Sequence, residues 1–386
     1  MGKRFVMGQV TVKAMWRRRG ASLLLAAVAA AGVCAAMVLH NLTVRQERAL
    51  EDTINNTTIS CVVTNAQGTG TGQLQMFSAF VEMLLGLREE RGCYLGDYVK
   101  NVRAKATFSL EMPEGASLRR ILSLDSDPAL SPAEGARVEF YEGWSETVLS
   151  TRQQVCLVGE DMLTQDGYLN VSNGLDDRAR LQIVGVVYGG PPGAVYCPFF
   201  MPWVAGTSVS FLTETCSFDI RDNRKLEESK GEIYTWFVEP ALTNQMDGLT
   251  FGVLVQDETY LDNLAEIQSN LSMLRILLPV LLVMCAGIGC FASYLTTRGR
   301  IREFAVMRCL GMKQRRVFGL VFGEQMLLAG IGGALGLAVG VAVEGGLSPA
   351  ALAKAGLLIA VFLAGTAIAV LGVTRVNVMK LMKVEE

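Results

Sequence analysis

Four stretches of the chain are apolar for long enough to cross a hydrocarbon core, which takes about 20 helical residues: Ala21 to Leu39, Ile276 to Leu295, Val317 to Val343 and Gly356 to Val373. Only the third contains an acidic residue, Glu324. Between the first and second lie ~230 residues, 41–271, without any such run. There the pattern changes from continuous apolar to alternating. Ile59 to Thr64 and Arg103 to Leu110 read as strands on either side of an amphipathic helix over Leu74 to Leu87. Ser217 to Ile220, a helix over Leu226 to Phe237, and Phe251 to Gln256 repeat that order. The β-branched and aromatic runs Val138 to Tyr141, Gln154 to Val158, Leu181 to Val187 and Val195 to Phe199 lie between the two sets. The expected fold is an α-helical membrane protein with four transmembrane helices and one large mixed α/β domain. That domain has halves at about 55–113 and 213–256, with a β-rich insertion at about 114–212.

Two further helices should connect the spans to this domain. Residues 41–54 continue the first span as a polar helix, and residues 257–275 lead into the second. In the latter, Leu264, Ile267, Leu271 and Leu274 recur at 3.5-residue spacing. An amphipathic helix packed on its own domain and an intermolecular coiled coil both satisfy that pattern.

Charge sets the expected orientation. Residues 1–20 carry Lys3, Arg4, Lys13, Arg17, Arg18 and Arg19 with no acid, and Val12, Met15 and Trp16 give this segment one apolar face. The loop at 296–316 holds seven basic residues against Glu303, and the tail at 374–386 adds Arg375, Lys380 and Lys383. Excess Lys and Arg beside spans marks the cytoplasmic side, so both termini are expected inside and residues 41–271 outside. The near-neutral total of -2 then divides into -15 for residues 41–271 and +13 for the remainder. The negative region suits a cationic ligand, or simply solubility. A basic tail and an apolar run also open a secretory signal peptide; the ~19-residue length, and Val33 before Cys34, favour a retained span.

Composition agrees with membrane residence: 51% apolar and 19% charged, against about 25% charged in soluble domains. No basic excess supports nucleic-acid binding. His40 is the only histidine, which removes HExxH zinc sites and catalytic arrangements built on a His base. The run Gly68-Thr69-Gly70-Thr71-Gly72 is not followed by the Lys and Ser or Thr of a phosphate loop. Cys61, Cys93, Cys156, Cys197 and Cys216 lack metal-ligand spacing; they read as packing residues, with one disulfide allowed.

The most informative stretch joins the second and third spans. Ile301, Phe304, Ala305 and Leu310 can line one side of a short helix whose other side is basic, ended by Gly311 at C′. Such a helix suits docking of a soluble partner, or rest in the lipid headgroups. Glu324, about two turns inside the third span, is costly in lipid unless paired; a conformation-sensitive contact and a packing contact both fit. Gly332, Gly336 and Gly340 on the third span, and Gly356, Ala360 and Ala364 on the fourth, form small faces that allow close helix approach. They serve equally within one bundle or across a dimer.

The motif RIREFAVMRCLGMKQRRVFGLVFGEQMLLAGIGGALG, with Glu303, Arg308, Gly311 and Glu324, resembles the loop and third span of the FtsX-like permease family, specifically its MacB-type four-span members. VCLVGE at Val155 to Glu160 and LQIVGVV at Leu181 to Val187 are similar to that family's external core domain. The resemblance implies the permease subunit of an ABC transporter in a bacterial plasma membrane. It would act as a homodimer or heterodimer, surrounded by lipid, with separate ATPase subunits that use ATP and Mg, and with no cofactor on this chain. It places the ATPase contact on the inner loop, at Arg302, Glu303, Phe304, Arg308 and Gly311. ATPase closure would reach the external domain through the helices continuous with the first two spans, a process called mechanotransmission. The family also contains non-transporting regulators whose external domain binds a ligand or controls a cell-envelope enzyme, and that function is the alternative; an extracytoplasmic partner protein fits either.

Overall fold

The computed structural model describes residues 19–87, 95–108, 116–127, 130, 136–172, 178–202, 211–237, 251–344 and 348–375. The expected amphipathic segment around Val12, Met15 and Trp16, Cys93, and the tail beyond Arg375 lie outside them. The chain forms two compact units: residues 1–51 with 263–386, and residues 52–262.

The first unit is helical. The four long helices are α1 (Arg19–Asn56), α4 (Glu258–Arg298), α6 (Gln314–Glu344) and α7 (Pro349–Thr374), and α5 (Ile301–Cys309) is a short helix between α4 and α6. All four long helices contain a window apolar enough to cross a membrane. The chain is therefore a membrane protein. Two of these helices extend past their apolar stretches, so that residues 41–56 belong to α1 and residues 258–275 to α4. The expected loop at 344–355 is much shorter, because α6 runs to Glu344 and α7 starts at Pro349 behind the N-cap Ser348, whose side chain accepts from Ala351 N. Proline at the first helical turn loses no hydrogen bond, so α7 starts ahead of the apolar stretch that begins at Gly356.

Small residues let the spans meet. A Cβ on Gly332 or Gly336 would fall on the Ala26 or Ala30 carbonyl of α1, and one on Gly340 would strike Met37. The expected small face of α7 is different: Gly356, Ala360 and Ala364 are exposed in this chain. Gly365 instead lies against the Ala286 carbonyl of α4, and Phe362 fills the space beside Gly289. The interior layers of this bundle include Leu25, Ala29, Ala292, Leu328 and Phe362, and then Val33, Ala36, Cys285, Ala355 and Leu358.

The second unit is built on one ten-stranded sheet. Four of its strands, β1 (Ser60–Asn65), β3 (Val99–Phe108), β11 (Thr215–Ile220) and β12 (Phe251–Val255), lie in the order β12-β1-β11-β3, every neighbour antiparallel. With α2 (Ser78–Leu84) between β1 and β3, and α3 (Leu226–Phe237) between β11 and β12, this is the split βαβ arrangement. Phe80, Phe218, Phe237 and Phe251 pack between helices and sheet, with ring centroids 5.5 to 6.1 Å apart. A short pair, β2 (Met76–Phe77) and β10 (Leu212–Thr213), forms a second small sheet.

The rest of the main sheet is the β-rich insertion, from β4 (Ser117–Ile121) through β5 (Arg137–Phe140), β6 (Val155–Gly159), β7 (Tyr168–Ser172), β8 (Arg178–Tyr188) and β9 (Ala194–Pro198). It is continuous with the first part: β4 pairs antiparallel with β3 and parallel with β9. The strands β6 and β9 are buried throughout, which accounts for their uninterrupted apolar sequence. Strands β4 and β7 carry Arg119, Arg120 and Asn170 within them, and so were not marked as strands by apolar runs. Cys61, Cys156, Cys197 and Cys216 are buried and unpaired, and burial pushes the thiols of Cys61, Cys197 and Cys216 up to about 12.

Candidate functional site

The site sits where α5 meets the ends of the spans. Gly311, with φ of 87°, ends α5 in a Schellman motif: Met312 N–H donates to the Met307 carbonyl at 3.1 Å and Gly311 N–H to the Arg308 carbonyl at 3.0 Å. The chain thus reverses direction within a few residues and begins α6. Phe304 is 5% exposed and packs with Val317 and Val321 of α6 and with Val370 and Val373 of α7. It anchors α5 to its own bundle and is not available to a partner.

Leu310 corrects the expected apolar face. Its position at the C-cap turns it away from Phe304, and it is 83% exposed. Val306, Cys309, Arg302 and Glu303 are also exposed, so the outer face of α5 is mixed apolar and charged. Arg308 is half-buried.

Glu324 is buried, and its charge is matched by Arg300, one of the seven basic residues of the loop. Arg300 Nη1 donates to Glu324 Oε2 at 2.6 Å, while Arg300 Nε donates to Glu303 Oε2 at 3.1 Å. One guanidinium therefore ties the first turn of α5 to the interior of α6. Beside it, Ser293 Oγ donates to Gln325 Oε1 at 2.7 Å, and Thr297 Oγ1 donates to the Ser293 carbonyl at 2.6 Å. Ser293 and Thr297 are one helical turn apart and share a face of α4. That spacing, opposite the adjacent pair Glu324 and Gln325, was the available signal. A cavity of about 30 Å³ lined by Ser22, Thr297, Arg300, Glu324 and Gln325 is large enough for a water molecule or two. Buried polar groups of this kind hold helices in register because breaking one side strands the other.

The remaining sequence candidates lie elsewhere. Leu264, Ile267, Leu271 and Leu274 are the shielded positions of their segment of α4, Leu271 fully buried among exposed neighbours. His40 is 6% exposed, its Nδ1 2.9 Å from Lys354 Nζ and its Nε2 3.2 Å from Ser348 Oγ. The ammonium donates to Nδ1, which leaves the ring proton on Nε2 to donate to Ser348. A cation where a triad needs a carboxylate opposes general-base chemistry, and the cluster serves instead to fix the start of α7. Among the described residues no group of three or more His, Cys, Asp or Glu is placed to hold a metal.

Residues 273–383 match the model of the FtsX-like permease C-terminal domain. The match takes in the last three apolar stretches, α5, and the Arg300, Glu303 and Glu324 cluster. No curated protein matches the chain significantly.

Proposed function

We propose that this chain is the permease subunit of an ABC transporter, driven by a separate ATPase that docks on the outer face of α5. The FtsX-like permease match supports the class, since such permeases generally pair with an ABC ATPase. The observation that carries the reading is the construction of α5. Phe304 and the Arg300 bridge fix this helix to α6 and α7, yet Leu310 and Val306 project from it uncovered. Exposed apolar side chains among charges are the composition of a docking surface. A partner pushing on α5 would move α6 directly, because the Glu324 ion pair cannot be broken cheaply away from water. We read the loop that carries α5 as cytoplasmic from its basic residues.

The long helices α1 and α4 extend the proposal to mechanotransmission. Each continues beyond its apolar stretch as one helix, so axial or tilting motion has no flexible loop to absorb it. A second copy of the chain and a MacB-type external domain complete the reading; the latter rests on four spans with one large domain between the first and second. Isolation of the chain from native membranes in mild detergent should bring down a protein that binds ATP through a phosphate loop. Recovery of an intact membrane assembly without any such protein would sink the proposal and favour a ligand-binding regulator.

A further inference from the structure

Within the second unit, the last residues of α1 and the residue before α4 are held by the same short segment. Helix C-termini leave carbonyls unsatisfied, and at the end of α1 one donor serves a carbonyl of the last turn and one just past it: Asn223 Nδ2 donates to the Ile54 carbonyl at 2.9 Å and to the Thr57 carbonyl at 2.6 Å. The next residue, Arg224, donates to Asn55 Oδ1 at 3.1 Å. Asp222 fixes the turn by accepting from Arg224 N at 3.0 Å. One turn along α3, Lys230 forms an ion pair with Asp257, the residue just before α4, whose carbonyl accepts the Leu261 N–H at 2.9 Å. Hydrogen bonding to Asp257 raises Lys230 above the usual lysine range, which keeps the ammonium charged at neutral pH.

The segment carrying these contacts is not loose. Leu226, Ile233, Trp236 and Phe237 are buried, and Phe237 packs on Phe218 of the sheet and Phe80 of α2. Arg221, just before it, donates to the Val99 and Gly96 carbonyls at 3.1 and 2.7 Å. Polar contacts therefore grip both helix ends while an aromatic core grips the sheet.

We propose that residues 222–237 are a yoke: they join the ends of α1 and α4 into one mechanical body with the split βαβ sheet, with Asn223 and Lys230 as the positioning residues. The proposal rests on the permease reading for its purpose, since a yoke here converts relative motion of two helices into motion of the sheet. Its geometry stands independently of ATP.

Reciprocal coupling tests it, by amide hydrogen exchange on the full-length chain in nanodiscs. Lys230→Met removes the ion pair to Asp257 beside α4, together with the Glu227 contact within α3, and Asn223→Ala removes the bonds to Ile54 and Thr57 at the end of α1. In a single body, Lys230→Met should raise exchange at residues 53–57 of α1 roughly fivefold, and Asn223→Ala should raise exchange at residues 258–262 by a similar factor. If each variant loosens only the helix it touches, the yoke is overturned. Adding ATP to the complete complex is a separate arm: an unchanged exchange pattern there counts against the permease reading, while cross-coupling between the variants still supports the yoke.

Discussion

Arg300 bridges two carboxylates of different helices, Glu324 inside α6 at 2.6 Å and Glu303 on the first turn of α5 at 3.1 Å. Its own side chain and that of Glu324 are both about nine-tenths shielded, so this is a buried ion pair with one exposed partner added. Such pairs are poor sources of net stability compared with apolar packing, but costly to break from one side. That asymmetry is measurable.

Glu324→Ala leaves the Arg300 cation shielded and half-partnered. It should destabilise the chain by about 3 kcal/mol, as should Glu324→Met or Arg300→Met alone, whereas Glu324→Met combined with Arg300→Met should recover most of that loss. Unfolding in detergent of the two singles and the double closes the cycle. A double variant as unstable as the sum of the singles would show that the two groups act independently.

The glycines of α6 and α7 make opposite predictions from similar sequence spacing. At Gly332 an added methyl meets the Ala26 carbonyl, so Gly332→Ala must separate α1 from α6 and should cost about 1–3 kcal/mol. At Gly356 nothing lies within 4 Å, and alanine should be neutral or slightly stabilising through helix propensity. Melting temperatures of the two variants in the same detergent compare them directly.

The buried thiols set an alkaline limit on the second unit. Their pKa values are raised in the folded state, so the fold favours the protonated form. That stability is complete below the unfolded value of about 8.5 and is lost as pH rises toward about 12. Tryptophan fluorescence melts should therefore fall steadily above pH 9. At pH 8 a thiol reagent should modify exposed Cys309 and spare Cys61, Cys197 and Cys216 until the domain unfolds.

Much of this architecture is written in local patterns. The spans declare themselves by length and apolarity, and the helix over Leu226 to Phe237 follows its amphipathic period to the residue. Gly311 ends α5 because only a residue tolerant of positive φ closes that turn. What was hidden depends on partners distant in sequence. Arg300 looked like one basic residue among seven, since its two carboxylates are brought to it by the fold. Leu310 looked like part of an apolar stripe, but the helix ends before it and the C-cap conformation turns it outward. Strand β4 interrupts its apolar pattern with Arg119 and Arg120, whose charges are met by Asp127 and by the carbonyls of Phe199 and Met201. Gly365, rather than Gly356, meets another span, because helix rotation about its own axis is set by the whole bundle.

We propose that α5 receives force from an ATPase through its exposed face. ATP turnover of the purified complex, with Leu310→Asp compared against wild type, tests it most directly. At least a tenfold loss of turnover is expected, or loss of the ATPase from the complex, with the chain's melting temperature unchanged because Leu310 is 83% exposed. An intact complex with wild-type turnover would contradict it.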